Sequence, residues 1–149
     1  MTKTESILSM WAEARTRLTN LLPKITEADL AKKLHVNSNS IGFLLRHIGD
    51  VELLFAKNVF KAGQLQVHAK TVIAQKDTGE WINLSELVDY VNQSATELKA
   101  VLETQTDDDW VTEIETKEFG KKTKQEAVAR IISHTAYHAG QIGIILKYA

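Results

Sequence analysis

Apolar residues recur every three or four positions in four long stretches of this chain. That spacing matches the turn of an α-helix and not the two-residue repeat of a strand. The first stretch, Glu5 to Leu22, lines up Ile7, Leu8, Trp11, Ala14, Leu18 and Leu22, and the single proline, Pro23, falls where the helix should stop. The second begins near Ser40 and carries Ile41, Leu44, Leu45, Ile48, Val51, Phe55 and Val59, with Gly63 as its expected terminator. The third opens at Asn83-Leu84-Ser85-Glu86, a cap with glutamate at the third helical position, and continues through Leu87, Val88, Val91, Ala95, Leu98, Val101 and Leu102. The fourth starts at the capping box Thr123-Lys124-Gln125-Glu126 and turns Val128, Ile131, Thr135, Ile142 and Ile145 inward. Each stripe must be buried against another, so the pattern predicts an all-α fold, an antiparallel four-helix bundle.

The connections differ in kind. Thr26 to Leu34 reads as a short helical turn. Ala62 to Ile82 is a connection of about twenty residues, long beside the usual 4–6 or so, and predicts a crossover or a functional loop. Trp110 to Gly120 alternates weakly and predicts a small hairpin. No internal repeat or low-complexity segment interrupts the 149 residues, a length suited to one domain spanning 1–149.

Composition excludes several classes of function. With 18 basic and 19 acidic residues, the chain has no electrostatic footprint for nucleic acid or an anionic membrane. The absence of cysteine removes disulfides, thiolate metal sites and a protein thiol nucleophile. Met1 to Trp11 carries Lys3 and Glu5 and does not read as a signal peptide, and no stretch approaches the roughly 20 apolar residues of a membrane span. A cytoplasmic protein is expected.

The chemistry concentrates on histidine. His134 and His138 are four residues apart, which on a helix is a rotation of roughly 400° and a rise of about 6 Å, so both imidazoles share a face. Two neutral imidazoles so placed can grip a divalent ion. His47 lies on a row with Leu44, Val51 and Leu54, borders the core, and is the natural third ligand. Three imidazoles suit Zn²⁺, Ni²⁺ or Fe²⁺ and leave a position open for water or substrate, the pattern of a catalytic site. The same spacing also fits two ordinary helical histidines on a surface. A zinc-protease motif is excluded because Thr135 stands where its glutamate would be. A di-iron carboxylate site is excluded because Leu44, Ile131 and Thr135, not glutamates, precede the three histidines by three.

Other residues carry two readings each. Asp50, one turn beyond His47, is a candidate catalytic base or imidazole orienter, and equally a surface charge. Gln141, three residues after His138, is a candidate contact to a bound cofactor or ligand, or an interior polar cap. Tyr137 points away from both histidines and is assigned to packing. Trp11, Trp81 and Trp110 read as core or rim residues, and His35 and His68 as solvated loop residues.

The segment His134-Thr135-Ala136-Tyr137-His138-Ala139-Gly140-Gln141-Ile142, together with Leu44-Leu45-Arg46-His47-Ile48-Gly49-Asp50-Val51-Glu52, resembles the two metal-ligand helices of the DinB/YfiT-like superfamily. The resemblance extends over essentially the whole chain. It implies an up-down-down-up bundle with the long crossover between the second and third helices. It also implies a divalent metal, usually Zn²⁺ or Ni²⁺, held by His47, His134 and His138, and homodimers are common in the family. Its characterised members include bacillithiol S-transferases and a mycothiol-dependent maleylpyruvate isomerase, so a low-molecular-weight thiol cosubstrate and a small-molecule substrate are implied. Activation of water for hydrolysis is the alternative reaction, and a non-catalytic metal-binding or stress-related interaction protein the alternative class. Specificity is expected to reside in Ala62–Ile82 and Trp110–Gly120.

Overall fold

A computed structural model describes residues 1–149. The chain is predominantly helical, with one small two-stranded sheet. The first helix, α1 (Lys3–Thr19), starts two residues before the apolar stripe suggested, because Thr2 and Glu5 close a capping box. It stops at Thr19 rather than Leu22. Pro23 has no N–H for the Thr19 carbonyl four residues back, and its ring would clash with that carbonyl. The chain continues instead through short 3₁₀ turns at Leu22–Lys24 and Glu27–Asp29.

Helix α2 (Ile41–Asn58) is capped by Ser40, whose Oγ accepts from the Phe43 N–H, and it is buried on nearly every side. Gly63 does not end it. The helix ends at Asn58, and Lys61 takes the left-handed conformation, at φ 67°. Gly49 lets α2 come close to its neighbour, since a Cβ there would stand 2.5 Å from the Tyr90 ring. The long connection contains a short helix that the sequence pattern did not reveal, α3 (Lys70–Ala74). Helix α4 (Leu84–Glu103) starts on the Asn83 cap as expected. The hairpin is real but shifted: Asp109–Val111 forms a 3₁₀ turn, and β1 (Glu113–Thr116) pairs antiparallel with β2 (Gly120–Thr123). Helix α5 (Lys124–Tyr148) follows the Thr123–Glu126 capping box. No helix is long and apolar enough to cross a membrane.

The four long helices pack side by side: α2 lies against α4 and α5, and α1 against α5 and α4. Their buried apolar residues form two groups. One contains Leu18, Ile41, Leu44, Ile48, Leu87, Val91, Ala139, Ile142 and Ile145. The other contains Ile7, Trp11, Val51, Phe55, Leu98, Leu102, Trp110, Val128 and Ile131. Between the two, every long helix contributes a buried polar side chain: Arg15 from α1, Asp50 and Glu52 from α2, Ser94 from α4 and Thr135 from α5. Along the sequence each of these falls near the switch from one apolar group to the other. The interior is thus two apolar halves separated by a polar layer. His47 and His134 occupy the same level, in α2 between Leu44 and Val51 and in α5 between Ile131 and Ala139.

Candidate metal centre

Helix periodicity places His134 and His138 on one face of α5, and the packing of α2 on α5 brings His47 up to them. The Nε2 atoms of His47 and His134 are 3.1 Å apart, and those of His134 and His138 are also 3.1 Å apart. One ligand atom from each of the three histidines lies within 4.8 Å of the others. The remaining two histidines, His35 and His68, are exposed in loops, as expected.

The three imidazoles are held neutral. Burial, then the neighbouring His138, His47 and Arg130, push His134 down to about 3. Burial and His138 lower His47, against the opposite pull of Asp50. Burial lowers His138, against its bond to Gln141. Neutral imidazole has one lone pair per ring, so the tautomer decides where each lone pair points.

Two of the tautomers follow from their partners. The Thr71 hydroxyl donates to Asp50 Oδ2 at 2.6 Å, which uses its only proton. Thr71 Oγ1, 3.0 Å from His47 Nδ1, must then accept, so His47 carries its proton on Nδ1 and turns the Nε2 lone pair inward. The Gln141 Oε1 atom, 2.6 Å from His138 Nδ1, accepts in the same way and leaves the His138 Nε2 lone pair free. His134 Nδ1 is buried with no partner. His134 Nε2 stands 3.1 Å from each of these two nitrogens, so each contact needs a proton or a cation between the two atoms. A zinc ion with nitrogen ligands at about 2.0–2.1 Å would set tetrahedral neighbours roughly 3.3 Å apart. The three nitrogens therefore fit a divalent ion in spacing and in charge state, and those of His47 and His138 also in lone-pair direction.

Asp50 is not a surface charge. It is fully buried, and it accepts from Arg46 Nε at 2.9 Å, from the Tyr90 hydroxyl, and from both the N–H and the hydroxyl of Thr71. Four donors occupy the lone pairs a carboxylate offers. Of the two functional roles expected for it, orientation of an imidazole is the one its geometry serves. Gln141 likewise spends its carbonyl on His138. Burial and the Asp50 carboxylate push the Tyr90 hydroxyl up, so it stays a donor. The Arg46 guanidinium is stacked over the rings of Tyr90 and Trp81 and also donates to the His68 carbonyl, at 2.7 Å. Trp11, Trp81 and Trp110 are all buried.

A cleft of about 360 Å³ opens beside His134, walled by that histidine with Val51, Phe55, Arg130, Ser133 and Tyr137, and with Glu118 from the hairpin. Tyr137 does not pack in the interior. It is 66% exposed and stands edge-on to His138 at the cleft wall. Arg130 rests over the Phe119 ring.

Thr71 and Tyr90 were not found from the sequence. Thr71 lies in a connection without clear periodicity, and Tyr90 is one aromatic residue on a long amphipathic helix. The one available signal was the Arg46–Asp50 spacing of four, which places an ion pair beside His47.

The model of the DinB superfamily matches residues 10–142, a span that contains all three histidines. No curated protein matches the chain in sequence. Among solved structures, a mutant of mycothiol-dependent maleylpyruvate isomerase superposes with a TM-score of 0.75 at 15% identity, over 96% of this chain and 63% of its own. The mycothiol-dependent maleylpyruvate isomerase itself gives 0.73 at 15%, with the same coverage. A conserved protein from Enterococcus faecalis gives 0.71 at 16%, over 99% of this chain and 96% of its own. The chain thus spans less than two thirds of the isomerase, and at these identities the likeness is one of fold. The family match runs through both helices that bring the histidines together, and on that match the chain belongs to the DinB superfamily.

Proposed function

We propose that this protein is a metal-dependent enzyme in which His47, His134 and His138 hold one divalent ion, Zn²⁺ or Ni²⁺, and a low-molecular-weight thiol is bound there for transfer to an electrophilic small molecule. The observation that carries the reading is the convergence of three neutral imidazoles, two of them locked with their lone pairs inward, beside an open cleft. A divalent ion lowers the pKa of a thiol or water bound to it toward neutrality. The protein's own residues bind and orient. Thr71 and Gln141 hold two rings in place, Val51 and Phe55 give the cleft an apolar wall, and Arg130, Ser133 and Tyr137 offer polar contacts at its edge. The chain contains no cysteine, so the sulfur nucleophile must arrive with a cosubstrate.

The hydrolytic alternative casts Asp50 as the base, and Asp50 is poorly suited because its oxygens are already engaged by four donors. The printed names of the isomerase neighbours, which are mycothiol-dependent, favour thiol chemistry. An up-down-down-up order of the long helices belongs to the same reading. It is supported by α1 and α5 running from the Trp11 apolar group toward the Leu18 group, while α2 and α4 run the other way. A cytoplasmic homodimer is part of the proposal, and light scattering of the purified protein tests the dimer.

Two measurements test the function. Elemental analysis should find about one metal ion per chain, and none in a His134→Ala and His138→Ala double variant; equal metal content in both would remove the site. Turnover of a model electrophile should require added thiol. Thiol-independent turnover would reject transfer in favour of hydrolysis.

A further inference from the structure

The long crossover does more than connect α2 to α4. Thr71, in its short helix, is almost fully buried and sits between a carboxylate and an imidazole. Its N–H and its hydroxyl both donate to Asp50 Oδ2, at 3.0 and 2.6 Å, and its oxygen lies 3.0 Å from His47 Nδ1. A second tie holds the same segment, from Arg46 Nη2 to the His68 carbonyl. The remaining ties of α3 are peripheral: Lys70 pairs with Glu80 at 3.6 Å and lies over the Trp81 ring, both within the crossover, while Ile73 is 79% exposed and Ala69 is buried. Asp50 thus docks the crossover onto α2, and the docked crossover in turn presents the hydroxyl oxygen to His47.

We propose that Thr71 is a positioning residue for the metal centre, and that the crossover segment must be docked for His47 to present its Nε2 lone pair. The inference rests on the metal reading given above. In the absence of the Thr71 oxygen, no other neighbour is in hydrogen-bonding contact with Nδ1, and the His47 ring is free to carry its proton on Nε2, the atom that must coordinate. Partners of this kind, one bond removed from the ion, typically alter metal affinity by about 10–100-fold when removed. Coupling of this kind is reciprocal, so metal binding must also stabilise the docked crossover.

The test uses the full chain and Zn²⁺ alone. Nitrogen-15 NMR of the metal-free wild-type protein reads the His47 tautomer directly, and the expected result is protonation at Nδ1. Thr71→Val keeps the shape of the side chain and the N–H bond to Asp50 but loses the hydroxyl. It should weaken Zn²⁺ binding by about 10–100-fold in competition with a chromophoric chelator, and Thr71→Ser should restore most of it. Hydrogen exchange at the Thr71 amide should slow when Zn²⁺ is added to the wild type. A wild-type His47 protonated at Nε2, or a folded Thr71→Val protein that binds Zn²⁺ as tightly as wild type, overturns the proposal. If Thr71→Val does not fold, the wild-type tautomer and the amide exchange decide instead. Failure of the wild type to take up Zn²⁺ overturns the underlying metal reading, and it is told apart from failure of the relay because the tautomer is read without metal.

Discussion

Asp50 and Glu52 sit two residues apart on the same helix, and both are fully buried. Glu52 faces α1 and α4. It takes two hydrogen bonds from Arg15, at 3.2 and 3.1 Å, and Ser94 lies 3.3 Å away, while Arg15 also donates to the Val91 carbonyl. Burial pushes the Glu52 carboxyl up and Arg15 pulls it down. Asp50 faces the crossover and, through Thr71, the histidines. Both charges are costly to bury and both are matched by an arginine. Glu52 closes a clamp across three helices; Asp50 leads to an imidazole. The difference teaches that a buried ion pair in this polar layer is a structural device by default, and becomes part of a site only where its hydrogen bonds continue to a group that meets a ligand.

The largest expected effect strikes the clamp. Arg15→Met should cost about 3–5 kcal/mol in urea unfolding, because Glu52 is left as an uncompensated buried charge, while the metal content of the folded protein stays unchanged. A loss below about 1 kcal/mol would mean that water or a rearranged neighbour reaches Glu52. Pairing Arg15→Met with Glu52→Met should recover most of that loss, since apolar replacements of a buried ion pair are often neutral or stabilising. A double variant no more stable than the single one would give the clamp a value beyond charge matching.

Asp50→Asn tests the other side of the comparison. Its stability loss should be smaller, about 1–3 kcal/mol from mismatched hydrogen bonds, but Zn²⁺ affinity should fall by about 10–100-fold, which the clamp variants should not reproduce. Equal affinity loss in both sets of variants would mean that Asp50 has no closer tie to the metal centre than Glu52 has.

The smallest effect is in pH. His47, His134 and His138 have folded-state values below the ordinary histidine value of 6.5. As pH falls below 6.5 the unfolded chain binds protons that the folded metal-free protein does not, so stability declines on the acid side. For His134 that decline continues toward about 3. The urea midpoint of the metal-free protein should therefore be lower at pH 5 than at pH 7.5, with a shallower decline in His134→Ala. Parallel declines in the two proteins would show that His134 contributes nothing to the acid sensitivity.

Much of this molecule is legible in its amino-acid order. The stripes of α2, α4 and α5, the start of α2 near Ser40 and the caps at Asn83 and Thr123 are local effects, decided by neighbours within about one helical turn, whereas α1 ends at Thr19, short of the expected Leu22. The spacing of His134 and His138 is local in the same sense. The Thr2 cap and the true end of α2 were missed because caps compete over one or two residues. Helix α3 was missed because five residues held by side-chain bonds to another helix leave no periodic pattern.

The amino-acid order by itself determined where the helices run and which histidines share a face, since both follow from the 3.6-residue turn. Only the tertiary structure decided that His47 meets the other two, that Asp50 is buried rather than solvated, and that Thr71 joins them. Those contacts link residues 21 to 87 positions apart. They depend on how whole helices pack and where the crossover docks, and no repeat of three or four residues encodes that.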